Sequence, residues 1–197
     1  MKKLVIIGAS GHGKVIADIA EKNGYDKIVF LDDNSTIKEC AGFPVVGNTS
    51  KVTSIDGDKI VAIGNAEIRE RIQSRINAVT LIHPNAVISR NVEIGEGTVV
   101  MAGAVINSDT KIGKGCIINT CASVDHDCLI GDYVHISVGV HVAGTCVVDN
   151  RTWIGAGATI SNNIKIEGEC MIGAGAVVVK DIEERGTWVG SPAKRIK

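Results

Sequence analysis

The sequence Ile94-Gly-Glu-Gly-Thr-Val-Val100-Met-Ala-Gly-Ala-Val-Ile106-Asn-Ser-Asp-Thr-Lys-Ile112 places a β-branched aliphatic residue at every sixth position. The same spacing runs without interruption from Ile88 to Val178, where sixteen successive sixth positions are Ile or Val. A period of six fits neither the 3.6-residue repeat of an amphipathic helix nor the alternation of an ordinary strand. It indicates a parallel β-helix built from hexapeptide repeats.

Three hexads make one triangular coil, with the aliphatic residue pointing inward from each flat side. The position four residues after each aliphatic residue is mostly small, which lets the chain turn the corner. These small residues are Thr98, Ala104, Thr110, Cys116, Ala122, Cys128, Cys146, Thr152, Ala158, Cys170 and Ala176. Stacked at ~4.8 Å, five coils make a prism about 25 Å tall. The alternative is a sandwich of ordinary strands.

Composition and charge narrow the class of protein. The chain has 197 residues and a net charge of −1, which gives no electrostatic reason to expect a nucleic acid or a membrane surface as partner. No apolar run reaches transmembrane length. The first residues lead directly into a short apolar run, Leu4 to Ile7, too brief for a signal-peptide core. Four of the six cysteines occupy small inward positions and are interpreted as core filler, so we expect a cytoplasmic protein.

The amino-terminal part of the chain, up to Ile82, alternates apolar runs with helical patterns, which predicts a small parallel sheet. The predicted strands are Leu4–Ile7, Ile28–Leu31, Ile60–Ile63 and Val79–Ile82, and the predicted helices run from Val15 to Gly24 and from Glu67 to Ile76. Residues 34–58 are expected to be irregular. We therefore predict a Rossmann-like βαβ domain over residues 1–82, a β-helix over residues 84–180 and a separate tail over residues 181–197.

A glycine-rich loop, Gly8-Ala-Ser-Gly-His-Gly13, joins the first strand to the first helix. Backbone N–H groups and the helix dipole suit a phosphate at such a place. The spacing is not that of a dinucleotide fingerprint, and the Lys-Ser/Thr end of a P-loop is missing. Asp32, about 20 residues on, lies where a ribose-binding acid would be. A nucleoside diphosphate end of a sugar nucleotide therefore fits better than NAD, and the alternative is a tight turn that needs glycine.

Two further residues belong to this prediction. His12 could bond a phosphate or simply line the pocket. Gly64 ends the third strand at the same carboxyl edge, where open α/β sheets bind ligands.

His126 is the principal catalytic candidate of the coil. It follows inward-facing Val124 by two positions, so it lies outside, and acids flank it on both sides. An imidazole whose second nitrogen is held by a carboxylate makes a tuned general base. His135 and His141 follow within the next three hexads, so a zinc site is an alternative, and a solvated surface histidine is another.

Glycine spacing suggests where a thin ligand could lie. Gly144 stands three hexads beyond His126, which places it directly above in the next coil. Ile154-Gly-Ala-Gly157 and Ile172-Gly-Ala-Gly175 are also one coil apart and form a strip without bulky side chains. Pantetheine, with two amides, would suit such a strip. The alternative is that these glycines serve only the corners of the coil.

The chain as a whole resembles the hexapeptide-repeat acetyltransferases, and the resemblance covers essentially its full length. The motifs that carry it are Gly8–Gly13, Asp32-Asp33, Ile63-Gly64-Asn65, the S-V-x-H-[DE]-C-x-I-G pattern of residues 123–131, and Gly190-Ser-Pro-Ala-Lys194. It is most similar to the branch with UDP-4-amino-sugar N-acetyltransferases of the bacillosamine pathway, GDP-perosamine N-acetyltransferases and sialic acid O-acetyltransferases. The resemblance implies a left-handed coil, a homotrimer and acetyl-CoA as cosubstrate, with no metal.

The resemblance also implies roles for individual residues. His126 would be the catalytic base, and Asp127, where some relatives have Glu, would raise its basicity. His135 would contact the thioester end of acetyl-CoA, with Gly144, Ala156 and Ala174 along the pantetheine. The residues that would hold the nucleotide-sugar are Ser10, Gly11, His12, Asp32, Asp33 and Gly64.

The expected reaction is direct acetyl transfer to the 4-amine of a UDP-linked 4-amino-4,6-dideoxy sugar. A covalent cysteine intermediate is disfavoured because Cys128, the cysteine nearest His126, is predicted to point inward. Three other functions remain open: O-acetylation of a sugar such as sialic acid, a zinc lyase of the carbonic anhydrase kind, and sugar-nucleotide binding without catalysis.

Overall fold

A computed structural model describes residues 2–197, so Met1, with which the predicted first domain begins, lies outside the described residues. The chain divides into two compact units, one ending at Pro84 and the other running from Asn85 to Lys197. Among residues 2–197, no helix has both the length and the apolar composition needed to cross a bilayer.

The first unit is an α/β domain with the elements β1 (Lys3–Ile7), α1 (Gly11–Lys22), β2 (Lys27–Leu31), β3 (Glu39–Cys40), β4 (Phe43–Gly47), a 3₁₀ helix (Thr49–Thr53), β5 (Asp58–Val61), α2 (Ala66–Gln73) and β6 (Leu81–Ile82). Its five-stranded sheet has the order β3-β4-β2-β1-β5. Strand β1 pairs in parallel with β2 and β5. Residues 4–7 are fully buried because a central parallel strand is covered on both faces.

The expectation that residues 34–58 are irregular is wrong. Strands β3 and β4 form an antiparallel hairpin there, and β4 extends the sheet by pairing in parallel with β2. Pro44 and Gly47 mask β4 in the sequence because both residue types are rare inside strands. The pairing with buried β2, rather than a local preference, makes this segment a strand.

The second unit is a parallel β-helix in which each hexad contributes one short strand. The strands are β7 (Val87–Ile88), β8 (Glu93–Ile94), β9 (Val99–Val100), β10 (Val105–Ile106), β11 (Lys111–Ile112), β12 (Ile117–Ile118), β13 (Ser123–Val124), β14 (Leu129–Ile130), β15 (His135–Ile136), β16 (His141–Val142), β17 (Val147–Val148), β18 (Trp153–Ile154), β19 (Thr159–Ile160), β20 (Lys165–Ile166), β21 (Met171–Ile172) and β22 (Val177–Val178). This confirms the fold that the six-residue period predicts.

The strands stack into three faces. The first face contains β7, β10, β13, β16, β19 and β22, the second contains β8, β11, β14, β17 and β20, and the third contains β9, β12, β15, β18 and β21. Stacked strands are parallel, with partners three hexads apart in the sequence, as in the pair Val124 and Val142. Each chain turn therefore passes from the third face to the first and then to the second.

The small inward residues do more than fill the core. Their hydroxyl and thiol groups donate to backbone carbonyls of the following coil over 2.6–3.2 Å. The donors are Thr98, Thr110, Cys116, Cys128, Cys146 and Thr152. A donor at this place satisfies a buried carbonyl that alanine would leave without that bond. Thr and Cys therefore stabilise the stacking of successive coils.

Residues 181–197, predicted as a carboxyl-terminal tail, lie within the second unit. Strand β23 (Thr187–Val189) pairs in parallel with β21, and β24 (Lys194–Arg195) pairs antiparallel with β23. The third face thus continues into the tail. One-dimensional stacks expose an unpaired strand edge at each end, and here the tail covers one such edge.

Candidate active site

His126 lies in the turn that follows β13 and leads from the first face to the second. Its Nδ1 is 2.7 Å from Oδ2 of Asp127, which occupies the left-handed region with φ of 57°. Asp and Asn enter this region more easily than bulky residues do. With Nδ1–H donated to the carboxylate, Nε2 keeps its lone pair. The His126 side chain is 56% exposed, so this nitrogen can meet a substrate.

A second carboxylate supports the same histidine from its backbone side. Asp125 Oδ1 accepts from His126 N at 2.9 Å and from Asn107 Nδ2 at 2.8 Å. The Asn107 bond is the largest cause that lowers the pKa of Asp125, so this carboxylate is ionised. The pKa of His126 is raised above its ordinary value, first by the hydrogen bond to Asp127 and then by the charge of Asp125.

Gly144 lies against the His126 ring, as the spacing of three hexads predicts. A Cβ at position 144 would come within 2.7 Å of both Cε1 and Nε2 of His126. Real Cβ atoms do not approach this closely, so any larger residue would displace the ring. A larger residue at position 144 is therefore compatible with the turn only if the His126 ring moves away.

His135, the predicted thioester contact, lies on the third face. Its ring stacks on Trp153, the outward residue one coil later, with centroids 4.9 Å apart. Its Nε2 faces Asn119 Nδ2 at 3.3 Å, and the amide is oriented because Asn119 Oδ1 accepts from Thr120 N. The sequence reasoning missed Asn119 and Trp153. The signal for Trp153 was its spacing of three hexads from His135.

Ala156 and Ala174 follow third-face strands and are exposed in the turns that lead to the first face. The two turns stack one above the other, and the N–H of Gly175, next to Ala174, donates to the carbonyl of Ala156 at 2.9 Å. Gly157 and Gly175 both have φ of 67° with open space where a Cβ would be, so these two glycines serve the corners. The alternative reading of the glycine strip is therefore supported for the glycines themselves.

The predicted coil residues form two groups within one chain. His126 and Gly144 lie in the turns after the first face. His135, Ala156 and Ala174 lie on the third face and in the turns before the first face. The width of the first face separates the two groups.

The three coil histidines do not converge within one chain. His141 lies on the first face, and its Nδ1 bonds Ser123 Oγ at 2.8 Å. His126 lies in a turn and His135 on another face. Over residues 2–197, no three His, Cys, Asp or Glu side chains are grouped in a way that could hold a metal ion.

The glycine-rich loop places Ser10, Gly11 and His12 at the amino end of α1. Ser10 is the N-cap residue, and the first helical hydrogen bond is made by Lys14 N to Ser10 O. The N–H groups of residues 11–13 precede that bond and point out of the helix end, where an anion is favoured. Gly8 has a φ of 115°, and a Cβ there would lie 2.7 Å from the carbonyl oxygen of Ala62, so the tight turn that needs glycine is also present.

Half-buried His12 and buried Arg69 lie at the carboxyl edge of the sheet, where the charge of Arg69 acts on the His12 ring. Burial, and then the charge of Arg69, lower the pKa of His12 to about 4, so its ring is neutral. His12 Nε2 is buried and has no hydrogen-bond partner within residues 2–197. Arg69 is 1% exposed and donates from Nη1 to the carbonyls of Ile63 and Gly64, each at 2.8 Å. The sequence reasoning missed Arg69, which looks like one charge among many in α2.

The two acids of the Asp32-Asp33 pair bond to the backbone of their own domain. Asp32 Oδ2 accepts from Ala9 N at 2.7 Å, which ties the glycine-rich loop to the end of β2. Asp33 Oδ1 accepts from Thr49 N at 2.8 Å, at the start of the 3₁₀ helix. Both acids therefore have structural roles in addition to any contact with a ligand.

Comparison with known protein families matches both units of the fold. The sequence matches the PglD N-terminal domain over residues 3–76 and the bacterial transferase hexapeptide repeats over residues 74–108. Fold and site together define a hexapeptide-repeat transferase with an amino-terminal α/β domain.

Solved structures and one curated protein narrow the family. The acetyltransferase domain of PglB from Neisseria gonorrhoeae is 42% identical with a TM-score of 0.95, and 100% of each chain is covered. PerB from Caulobacter crescentus, solved with CoA and GDP-perosamine, is 34% identical with a TM-score of 0.93 over 100% of this chain and 98% of that one. UDP-N-acetylbacillosamine N-acetyltransferase from Bacillus subtilis is 37% identical over 51% of this chain and 52% of that protein. The chain thus spans about half the length of this curated relative.

The chain belongs to the family of hexapeptide-repeat sugar N-acetyltransferases that includes the PglB acetyltransferase domain and PerB.

Proposed function

We propose that this protein is an acetyl-CoA-dependent N-acetyltransferase that modifies the 4-amino group of a UDP-linked 4-amino-4,6-dideoxy sugar. The observation that carries the proposal is His126, whose Nδ1 is held by Asp127 at 2.7 Å while Nε2 stays open. Relatives support the acetyl donor, because the PglB acetyltransferase domain has been solved with acetyl coenzyme A. The curated relative is named for a UDP-linked amino sugar, and PerB was solved with a GDP-linked one.

The proposed chemistry is direct transfer in a ternary complex. The free-base amine attacks the carbonyl carbon of the acetyl thioester, and His126 Nε2 takes the amine proton. The tetrahedral intermediate then collapses, the C–S bond breaks, and the CoA thiolate takes a proton from the imidazolium. Asp127 stabilises the imidazolium, and the N–H of Gly144, beside the His126 ring, is the proposed donor to the oxyanion.

The nucleotide end of the substrate is proposed to bind at the glycine-rich loop. The N–H groups of Gly11 and His12 and the hydroxyl of Ser10 would face the diphosphate, where the end of α1 favours negative charge. His12 Nε2, buried without a partner within residues 2–197, adds a polar atom that a ligand could satisfy. Asp32, Asp33 and Gly64 would complete this site at the carboxyl edge of the sheet.

The acetyl-CoA site is proposed to form between two copies of the chain in a cytoplasmic homotrimer. One chain separates His126 and Gly144 from His135, Ala156 and Ala174 by the width of the first face. In the proposed trimer, a neighbouring copy would place its His135, Ala156 and Ala174 opposite His126 and Gly144 of this chain. Pantetheine would lie between the two sets of residues. No metal is part of the proposed mechanism.

A CoA-release assay with acetyl-CoA and a panel of acceptors tests the proposal. The panel contains UDP-4-amino-4,6-dideoxy sugars, the GDP-linked equivalent, and free and CMP-linked sialic acid. We expect turnover with a UDP-linked amino sugar. Turnover only with the GDP-linked sugar would show that the nucleotide is guanosine and not uridine diphosphate. Turnover only with sialic acid would make the protein an O-acetyltransferase. CO₂ hydration by a zinc-loaded sample would overturn the proposal.

A further inference from the structure

We propose that Asn107 and Asp125 are positioning residues that set the orientation and the proton affinity of His126. The proposal rests on the proposed function for its kinetic consequences, whereas its effect on the imidazole can be measured without any substrate. The sequence marks Asp125 only as one of the two acids that flank His126, and Asn107 is one polar residue among many in the turns of the coil.

The geometry converges on one oxygen atom. Asp125 Oδ1 accepts from Asn107 Nδ2 in the coil below and from His126 N in its own turn. Two donors on one acceptor leave the Asp125 carboxylate a single orientation. Because His126 N is one of those donors, the carboxylate also fixes the backbone from which the imidazole projects. Asn107 is thus connected through the Asp125 side chain to the backbone N–H of His126, from which the ring projects.

The charged partners of His126 are the two carboxylates that flank it in the chain, Asp125 and Asp127. Asp127 holds Nδ1, and Asp125 lies on the opposite side of the histidine in the chain. The coil above presents Gly144 and Thr145, which carry no charge, and the thiol of Cys128 points into the core and donates to Ala143 O. In the coil below, Asp109 stands three hexads before Asp127 and is bonded by Asn91. The carboxylates that act on His126 are therefore Asp125 and Asp127 of its own turn.

Removing each half of the pair should have a different effect. Asp125→Asn keeps an acceptor oxygen for both donors and removes the negative charge, so it should change proton affinity and preserve geometry. Asn107→Ala keeps the charge and removes the donor that holds the carboxylate, so it should loosen geometry. Two carboxylates beside one imidazole favour its protonated form, so loss of one should lower the pKa of His126.

The same corner of the coil offers a matched control. Asn91 Nδ2 bonds Asp109 Oδ1 at 3.2 Å, one coil below the proposed pair and likewise between successive coils. Asn91→Ala removes the same kind of ladder bond without touching a residue bonded to His126. Any general effect of breaking a ladder bond will appear in this variant.

The experiment is an NMR titration of the His126 ring protons in the full chain, followed by pH profiles of kcat and kcat/KM. We expect Asp125→Asn to lower the pKa of His126, with the acid limb of kcat/KM moving to lower pH by the same amount. We expect Asn107→Ala to reduce kcat at the pH plateau by about 3- to 10-fold with KM for acetyl-CoA unchanged. Asn91→Ala should match the wild type in both measurements.

The proposal and the proposed function fail separately. If wild-type protein transfers no acetyl group to any acceptor, the proposed function is wrong, and the titration still decides whether Asp125 acts on His126. If the His126 titration in Asp125→Asn coincides with those of wild type and Asn91→Ala, the positioning role is wrong. If Asn107→Ala does not fold, Asp125→Asn alone gives the same decision.

Discussion

The end of strand β2 in the first unit and the His126 turn of the second unit both carry a pair of acids, yet the two pairs bond differently. After β2, Asp32 accepts from the N–H of Ala9 in the glycine-rich loop, and Asp33 accepts from the N–H and the hydroxyl of Thr49. In the turn, Asp125 and Asp127 bond to a single histidine, one through its backbone and one through its ring. The first pair of acids joins backbone segments of its domain, and the second pair holds His126, the proposed base.

This difference shows how structural and chemical roles can be separated. An acid that bonds neighbouring loop segments, as Asp32 and Asp33 do, stabilises those loops. An acid that bonds a side chain with an open atom, as Asp127 bonds His126, is a candidate for a role in chemistry. Substitutions in the turn should therefore change rate more than stability, and substitutions in the loop domain should change stability and its dependence on pH.

The largest expected effect is that of His126→Ala. Without the base, kcat should fall about 10²- to 10⁴-fold, whereas acetyl-CoA binding and thermal stability should stay near wild type because the side chain is largely exposed. Steady-state kinetics, calorimetric titration of acetyl-CoA and a melting curve measure the three quantities.

Ser108→Ala is the control for this variant, because Ser108 occupies the same turn position one coil below. It should retain wild-type kcat. An unchanged kcat in His126→Ala would remove the base from the mechanism and would make the His126 turn as structural as the glycine-rich loop.

Gly144→Ala should have the next largest effect. The added Cβ would lie 2.7 Å from the His126 ring and must displace it, and a shift of about 1 Å in a catalytic group can cost about 10²-fold in rate. A double-mutant cycle in kcat gives the sharper measurement, since Gly144→Ala should cost little more once His126 is already alanine. Equal losses in both backgrounds would show that the glycine acts independently of the ring.

His12 provides the contrasting prediction for the loop domain. Its folded-state pKa of about 4 lies below the unfolded value of 6.5, so the unfolded chain binds the extra proton as pH falls through this range. Stability is therefore fully present above about pH 6.5 and decreases as pH falls from there toward 4. Between pH 7.5 and pH 5 the loss from this group should be about 2 kcal/mol.

Unfolding of His12→Gln and wild type by denaturant at the two pH values isolates this contribution. The variant should lose less stability on acidification than the wild type does. Parallel curves for the two proteins would mean that the pKa of His12 is the same in the folded and unfolded chain, so that neither burial nor the charge of Arg69 lowers it.

The coil and the loop domain also differ in how far the sequence predicts them. The six-residue period is a local property of the chain, and it predicts the inward residues and the stacking of Gly144 on His126. Bonds that depend on distant partners leave no such pattern, which is why Asn107, Arg69 and strand β4 were missed. Neighbouring turns of the coil carry many Asn and Asp residues, and only the folded ladder shows which pairs meet.

The smallest expected effect concerns Thr110, which the six-residue period predicts only as a small residue at a corner of the coil. Thr110 Oγ1 donates to Asp125 O at 2.6 Å and accepts from Cys128 N at 3.1 Å, directly beneath the His126 turn. Thr110→Val keeps the volume and removes both bonds, so the free energy of unfolding should fall by about 1–2 kcal/mol. Thr110→Ser keeps the hydroxyl and should recover most of this loss, as measured by denaturant unfolding. If Val and Ser behave alike, the inward threonines and cysteines contribute through packing alone, and the hydrogen bonds between coils add nothing to the stability of the turn that carries His126.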